Sequence, residues 1–134
     1  MQLLRIRPAF VGSEVVFVGV CHAHREDVQG YRFFRIYDAT RWTRLRLILS
    51  ALQVLCIICL ERPHVVVSTG AAPGYIAIRI GKLIGARTIW LDSIANVEQL
   101  SMSGALAARY ADLWLTQWPH LETGDGPVFK GAVL

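Results

Sequence analysis

The segment His64-Val-Val-Val-Ser68, followed at once by Thr69-Gly-Ala-Ala-Pro-Gly74, constrains the fold of this chain more than any other. A short β-branched run with no polar alternation is a strand buried on both faces, which is the habit of parallel sheets. Parallel neighbours must be joined by crossovers of a dozen residues or more, and the sequence supplies them. Glu14 to Val20 reads as a strand behind the turn Gly12-Ser13, and Tyr31 to Ile36 as a second strand after the polar loop Cys21 to Gly30. A helix capped by Thr40 runs to about Leu60, where Arg62-Pro63 stops it, and another runs from Tyr75 to Ile84 with Gly85 as its stop. Arg87 to Asp92 is a further strand. A helix follows within Ser103 to Tyr110, then a strand at Leu113 to Thr116 and an extended piece near Val128 to Val133. This alternation predicts an α/β fold: a doubly wound, Rossmann-like parallel sheet with helices on both faces, as a single domain over residues 1–134. Such a domain opens with a strand. Here the chain opens on Gln2-Leu-Leu-Arg-Ile-Arg-Pro8, which reads as the end of a helix, so the sheet is expected to lack its first strand.

The apolar fraction of 54% exceeds the roughly 45–50% of soluble domains, and the excess is concentrated in one place. From Leu47 to Leu60 there is no charge, and only Ser50 and Gln53 interrupt the run. A membrane-spanning helix needs about 20 apolar residues, so a span is not expected. A buried core helix is the simpler account. The alternative is peripheral membrane contact, because Arg41, Arg44 and Arg46 surround Trp42 just ahead of the run, and cations with an interfacial aromatic suit an anionic lipid surface. Nearly all the positive charge in the first third is arginine, which forks onto phosphate, so acidic lipids or phosphorylated substrates fit better than nucleic acid. The N-terminus has no apolar signal-peptide core, and three cysteines leave one unpaired under any scheme, as in a reducing compartment.

Ligands of open α/β sheets bind at the carboxyl ends of the strands, which directs attention to Ser68–Gly74, Asp92–Asn96 and Gln117-Trp118. The turn Ser68 to Gly74 joins a strand to a helix N-terminus, a place for an anion or sugar hydroxyl, though tight packing explains small residues equally well. It is neither a Walker A loop nor a GxGxxG fingerprint. Asp92 ends a strand and is either a working carboxylate or a turn and cap residue. Cys56-Ile-Ile-Cys59 places both thiols on one helical face, where packing as small hydrophobes is expected ahead of redox or zinc chemistry. Cys21-His-Ala-His24 lacks a fourth ligand nearby, so neither metal nor cofactor is expected.

The segments Ile89 to Leu106, Tyr110 to Pro119, Arg62 to Gly74 and Phe129 to Leu134 together resemble the accessory subunit of the two-part UDP-N-acetylglucosamine transferase of asparagine-linked glycosylation, and more closely its bacterial relatives in capsule and exopolysaccharide synthesis. The resemblance implies the N-terminal, acceptor-binding half of a GT-B glycosyltransferase, active with a separate catalytic subunit that binds the UDP-sugar. It implies a lipid-diphosphate-linked acceptor and a peripheral or monotopic place on the cytoplasmic face of the membrane. By matching position, Ser68, Gly70, Pro73 and Gly74 would form the acceptor-side loop, and Asp92 would be the catalytic strand-end acid. Ser101, Ser103 and Gly104 would form the loop and helix start facing the cleft, with Gln117 and Trp118 near the junction with the partner. Arg41, Trp42, Arg44 and Arg46 would meet the membrane. Two departures stand out: the family usually has Glu at the position of Asp92, and its opening strand with a Gly-Gly-His type turn has no counterpart here. The rival from a different class is a stand-alone soluble domain that binds a nucleotide or small molecule, and a third reading is an inactive truncated product.

Overall fold

The structure, a computed structural model, describes residues 2–39 and 42–132. The expected cap Thr40, the membrane candidate Arg41 and the end of the last extended piece at Val133 lie outside the described residues. The elements run α1 (Gln2–Arg5), β1 (Val16–Gly19), β2 (Arg32–Arg35), α2 (Arg44–Glu61), β3 (Val65–Ser68), α3 (Ala71–Leu83), β4 (Arg87–Leu91), α4 (Met102–Ala107), β5 (Leu113–Thr116) and β6 (Val128–Phe129), with short 3-10 turns between them.

Among the described residues all strand pairs are parallel, as the β-branched runs led one to expect, although Val65 at the start of β3 is not buried on both faces. The strands form two pieces, β1-β2 and β3-β4-β5-β6. Each piece keeps the sequential parallel order of a doubly wound sheet. Right-handed crossovers that advance from β3 to β5 put α3 and α4 on one face. There Ile78, Trp90 and Ala107 form a core with Val66, Tyr75, Tyr110 and Trp114 around it. A second core joins Ile36, Val54 and Ile58 with Val20, Ile76, Ala77 and Ile80, so α2 and α3 form one layer across both sheet pieces. The longer helices gather on this one face. On the other face of the sheet Val65 and Leu113 remain 42% and 40% exposed, so the expected helices on both faces are not all present among the described residues.

Close approach of α3 to β3 depends on glycine. A Cβ at Gly74 would lie 2.1 Å from Ser68 Oγ, and one at Gly81 would lie 2.8 Å from Val66 Cγ2. The two are seven residues apart, two turns on one helical face, so α3 lies flat on the strand. The helix also begins earlier than the sequence indicated, at Ala71 rather than Tyr75, because Pro73 falls in the first turn where its missing N–H costs nothing. At its other end, and at that of α2, the stops are as expected: Gly85 has φ 83°, and Arg62 adopts a left-handed conformation ahead of Pro63.

The expectation that Leu47 to Leu60 is a buried core helix is overturned. Only Ser50, Val54 and Ile58 of α2 are buried, while Leu45, Ile48, Leu49, Leu52, Leu55 and Leu60 are exposed. The reason is geometric: a single helix packed on one layer hides one stripe, and this helix is apolar on all sides. Cys56 and Cys59 fall on the open side, are exposed and are not core residues. Among the described residues no helix is long and apolar enough to cross a membrane.

Candidate functional site

Three connections meet at the carboxyl edge of the four-stranded sheet because β3, β4 and β5 are neighbours in register. Ser68 pairs with Trp90, and Leu91 with Leu115. The Ser68–Gly74 turn, the loop after β4 and the Gln117-Trp118 step therefore lie side by side, which brings together the candidates Ser68, Gly70, Pro73, Gly74, Asp92, Ser101, Ser103, Gly104, Gln117 and Trp118.

Asp92 organises this edge. It is 2% exposed, and its carboxylate accepts three hydrogen bonds: Oδ1 from Ser93 N–H and Asn96 Nδ2, both at 2.9 Å, and Oδ2 from Ser101 N–H at 3.0 Å. One carboxylate thus folds the loop from Ser93 to Ser101 back onto the strand end. Ser101 then caps α4, its Oγ accepting from Gly104 N–H at 2.9 Å. Gly104 has no room for a side chain, since a Cβ there would sit 2.7 Å from Asp92 Oδ2, 2.8 Å from Ser101 Oγ and 2.9 Å from Trp90 Nε1. Trp90 is fully buried, and its indole N–H has no hydrogen-bond acceptor among the described residues.

The main-chain oxygen of Asp92 is equally engaged, accepting from Gln117 Nε2 at 3.0 Å and from Gln2 Nε2 at 3.1 Å. Gln117 is 1% exposed, so its side chain is an internal tie and not a surface contact. Trp118 is half-buried, and its Nε1 donates to Ile94 O at 3.0 Å while its ring lies beside His120. Gln2 escaped the sequence reading, and Asn96 entered it only as the end of the stretch Asp92–Asn96, with no role given to its side chain. Gln2 is ninety positions from Asp92 and nothing local announces the contact, whereas Asn96 carried a signal, an amide four residues after a strand-end carboxylate.

Next to this lattice the Ser68–Gly74 turn is strained and sparsely bonded. Gly70 has φ 144°, and Ala71 adopts φ 62°, a left-handed conformation that costs a non-glycine residue about 1–2 kcal/mol. Gly70 N–H reaches Ser68 Oγ only at 3.4 Å, and the N-cap of α3 carries no side chain to satisfy its first amides. Backbone N–H groups at the start of a helix, with its dipole, favour negative charge. Trp42, Arg44 and Arg46 are exposed at the start of α2, which leaves the same carboxyl edge after β2.

A family model described as "Oligosaccharide biosynthesis protein Alg14 like" matches residues 30–131. The UDP-N-acetylglucosamine transferase subunit ALG14 of Yarrowia lipolytica is 36% identical over 67 residues, covering 46% of this chain and 31% of that subunit. The subunit alg14 of Schizosaccharomyces pombe is 38% identical over 50 residues, 37% of this chain and 23% of its own. These matches therefore span less than a third of either relative. Among solved structures, MurG of Acinetobacter baumannii superposes with a TM-score of 0.75 over 96% of this chain and 40% of its own length, at 11% identity, a likeness of fold alone.

Proposed function

Because the chain belongs to the Alg14-like family of oligosaccharide biosynthesis proteins, we propose that it is the acceptor-binding subunit of a UDP-N-acetylglucosamine-type glycosyltransferase, working with a separate donor-binding catalytic subunit in polysaccharide synthesis. The family match over residues 30–131 carries this proposal, and the carboxyl-edge cleft supplies its chemistry. The acceptor is a lipid-diphosphate-linked sugar. Its diphosphate meets the Ser68–Gly74 turn, where the amides at the start of α3 and the helix dipole favour negative charge. Ser101 and Ser103 offer hydroxyls at the adjoining loop. Asp92 serves as a positioning residue: with three hydrogen bonds on its carboxylate it holds Ser101 and the start of α4 in place, and a proton-transfer role would require that lattice to open. The partner subunit docks near Trp118.

The exposed stripe of α2 supports a peripheral place on a membrane, and the cytoplasmic face is what the family resemblance implies. Leu45, Ile48, Leu49 and Leu52 form an outward apolar row, and Trp42, Arg44 and Arg46 sit at its head where lipid phosphates would lie. That same edge bears the acceptor turn, so a lipid-linked sugar would reach the cleft along the membrane surface.

Co-expression with its donor-binding partner tests the proposal. Transfer of N-acetylglucosamine from the UDP-sugar to an undecaprenyl-diphosphate-linked acceptor should require both chains. Full-rate transfer by this chain alone would defeat the subunit assignment, as would an inactive pair in which both chains are folded and associated.

A further inference from the structure

Side chains just beyond β5 reach back to the loop that follows β4. Gln117 Nε2 donates to Asp92 O at 3.0 Å, Trp118 Nε1 to Ile94 O at 3.0 Å and His120 Nε2 to Val97 O at 2.6 Å. The loop is thereby held from two sides. Amide donors at Ser93, Asn96 and Ser101 turn to the Asp92 carboxylate, while carbonyl oxygens at Ile94 and Val97 turn to the segment after β5. His120 takes hold between Asn96 and Ser101, the longest interval that the carboxylate leaves. The segment doing the holding is itself well fixed. Trp118 N–H donates to Oγ1 of the buried Thr116 at 3.2 Å, and Pro119 opens a 3-10 turn closed by Leu121 N–H on Trp118 O at 3.1 Å and Glu122 N–H on Pro119 O at 3.2 Å. The Trp118 and His120 rings lie beside each other, with centroids 6.1 Å apart.

We infer that Trp118 and His120 are positioning residues for acceptor binding: their ring N–H groups clamp the carbonyl oxygens of the loop after β4 and so hold Ser101 and Ser103, at its far end, where the acceptor meets them. Neither ring has to touch the acceptor. What the clamp needs from position 120 is a donor, because a carbonyl oxygen only accepts, so His120 carries a hydrogen on Nε2. A glutamine amide offers the same kind of donor, and alanine offers none. Each unmade tie returns conformational freedom to a loop that has no strand or helix of its own to restrain it between Ser93 and Leu100. The clamp stands on these hydrogen bonds alone, whereas its consequence for the acceptor rests on the acceptor-site proposal.

The test uses the full chain purified with its donor-binding partner and compares the natural sequence with His120→Ala, His120→Gln and the double change Trp118→Phe with His120→Ala. Backbone amide exchange across residues 93–101 is read beside KM and kcat for transfer from the UDP-sugar to an undecaprenyl-diphosphate-linked acceptor. His120→Ala should speed exchange in the loop and raise KM for the acceptor by about threefold to tenfold, the worth of one hydrogen bond, with kcat and KM for the UDP-sugar unchanged. The double change should exceed that effect on both readouts, and His120→Gln should restore both to the natural values. Unchanged loop exchange in the double variant would overturn the clamp. Faster exchange with an unchanged acceptor KM would overturn the positioning role, as would a loss confined to kcat or a glutamine variant that behaves like alanine. A natural pair that transfers no sugar defeats the acceptor-site proposal and the positioning role with it, while loop exchange still decides the clamp.

Discussion

The edge around Asp92 and the outer side of α2 are held by opposite means. At the first, buried polar groups are paired with one another: the Asp92 carboxylate accepts three hydrogen bonds, its carbonyl accepts two more, and Ser101 and Gly104 close around them. At the second, a row of leucines and isoleucine faces outward. The difference shows where the chain needs one fixed geometry and where it needs only a surface. A hydrogen-bonded loop specifies positions to within an ångström, and an apolar stripe specifies a partner's chemistry without specifying its position.

Asp92→Ala breaks the comparison most severely if it is right. It strands Ser93 and Ser101 amides and the Asn96 amide in a nearly closed site, and each buried unpaired group costs about 1–3 kcal/mol. A loss on the order of 4 kcal/mol in chemical denaturation is expected. A neutral result would mean that the carboxylate faces the cleft as a free base and that the loop is held by something else.

Gly104→Ala tests the same lattice with one methyl. The added Cβ would press on Asp92 Oδ2, Ser101 Oγ and Trp90 Nε1, all under 3 Å, so about 1–3 kcal/mol should be lost through overpacking. The loss should shrink sharply in an Asp92→Ala background, because the two changes damage one network. Full additivity would separate them.

On α2 the expected pattern reverses. Replacing Leu45, Leu49 and Leu52 together by Gln should change stability by less than about 0.5 kcal/mol per site while abolishing flotation with anionic liposomes. Ile58→Ala, on the buried stripe of the same helix, should cost about 2–4 kcal/mol and leave flotation intact. Flotation that survives the triple change would assign the stripe to the partner subunit instead.

How much of this was legible in the sequence differs between the two regions for physical reasons. The parallel sheet was readable because β-branched runs such as Val65–Val67, and stops such as Gly85 and Arg62-Pro63, act within a few residues. The stretches Ser68–Gly74, Asp92–Asn96 and Gln117-Trp118 followed from topology, Ser101 and Gly104 followed from the resemblance, and the structure gathers Ser68, Gly74, Asp92, Ser101 and Gly104 at one edge. What each side chain does there was not readable. Gln117 becomes an internal tie because Asp92 O lies within its reach, and Gln2 joins it from the far end of the chain. The fate of α2 was hidden for another reason. A helix apolar on every side has no pattern that says which side is covered, so Cys56 and Cys59 could be placed only by the packing itself.

The smallest effect expected lies at the opposite, amino-terminal end of the strands, where Asp112 anchors the start of β5. Its carboxylate pairs with Lys82 of α3 and accepts from Thr88 N–H at 2.9 Å. The Lys82 bond first and the Thr88 amide second hold its pKa down from 3.8 to about 2. A carboxylate with a depressed folded pKa stabilises the native state fully above its unfolded value, and that contribution disappears as pH falls through the folded one. Native stability should therefore decline between about pH 4 and pH 2 more steeply in the natural chain than in Asp112→Asn. Because both partners of the pair are substantially exposed, the difference should be small and should shrink further in 1 M salt. Parallel acid-unfolding curves for the two proteins would show that this ion pair, unlike the Asp92 lattice, contributes nothing to holding its end of the sheet.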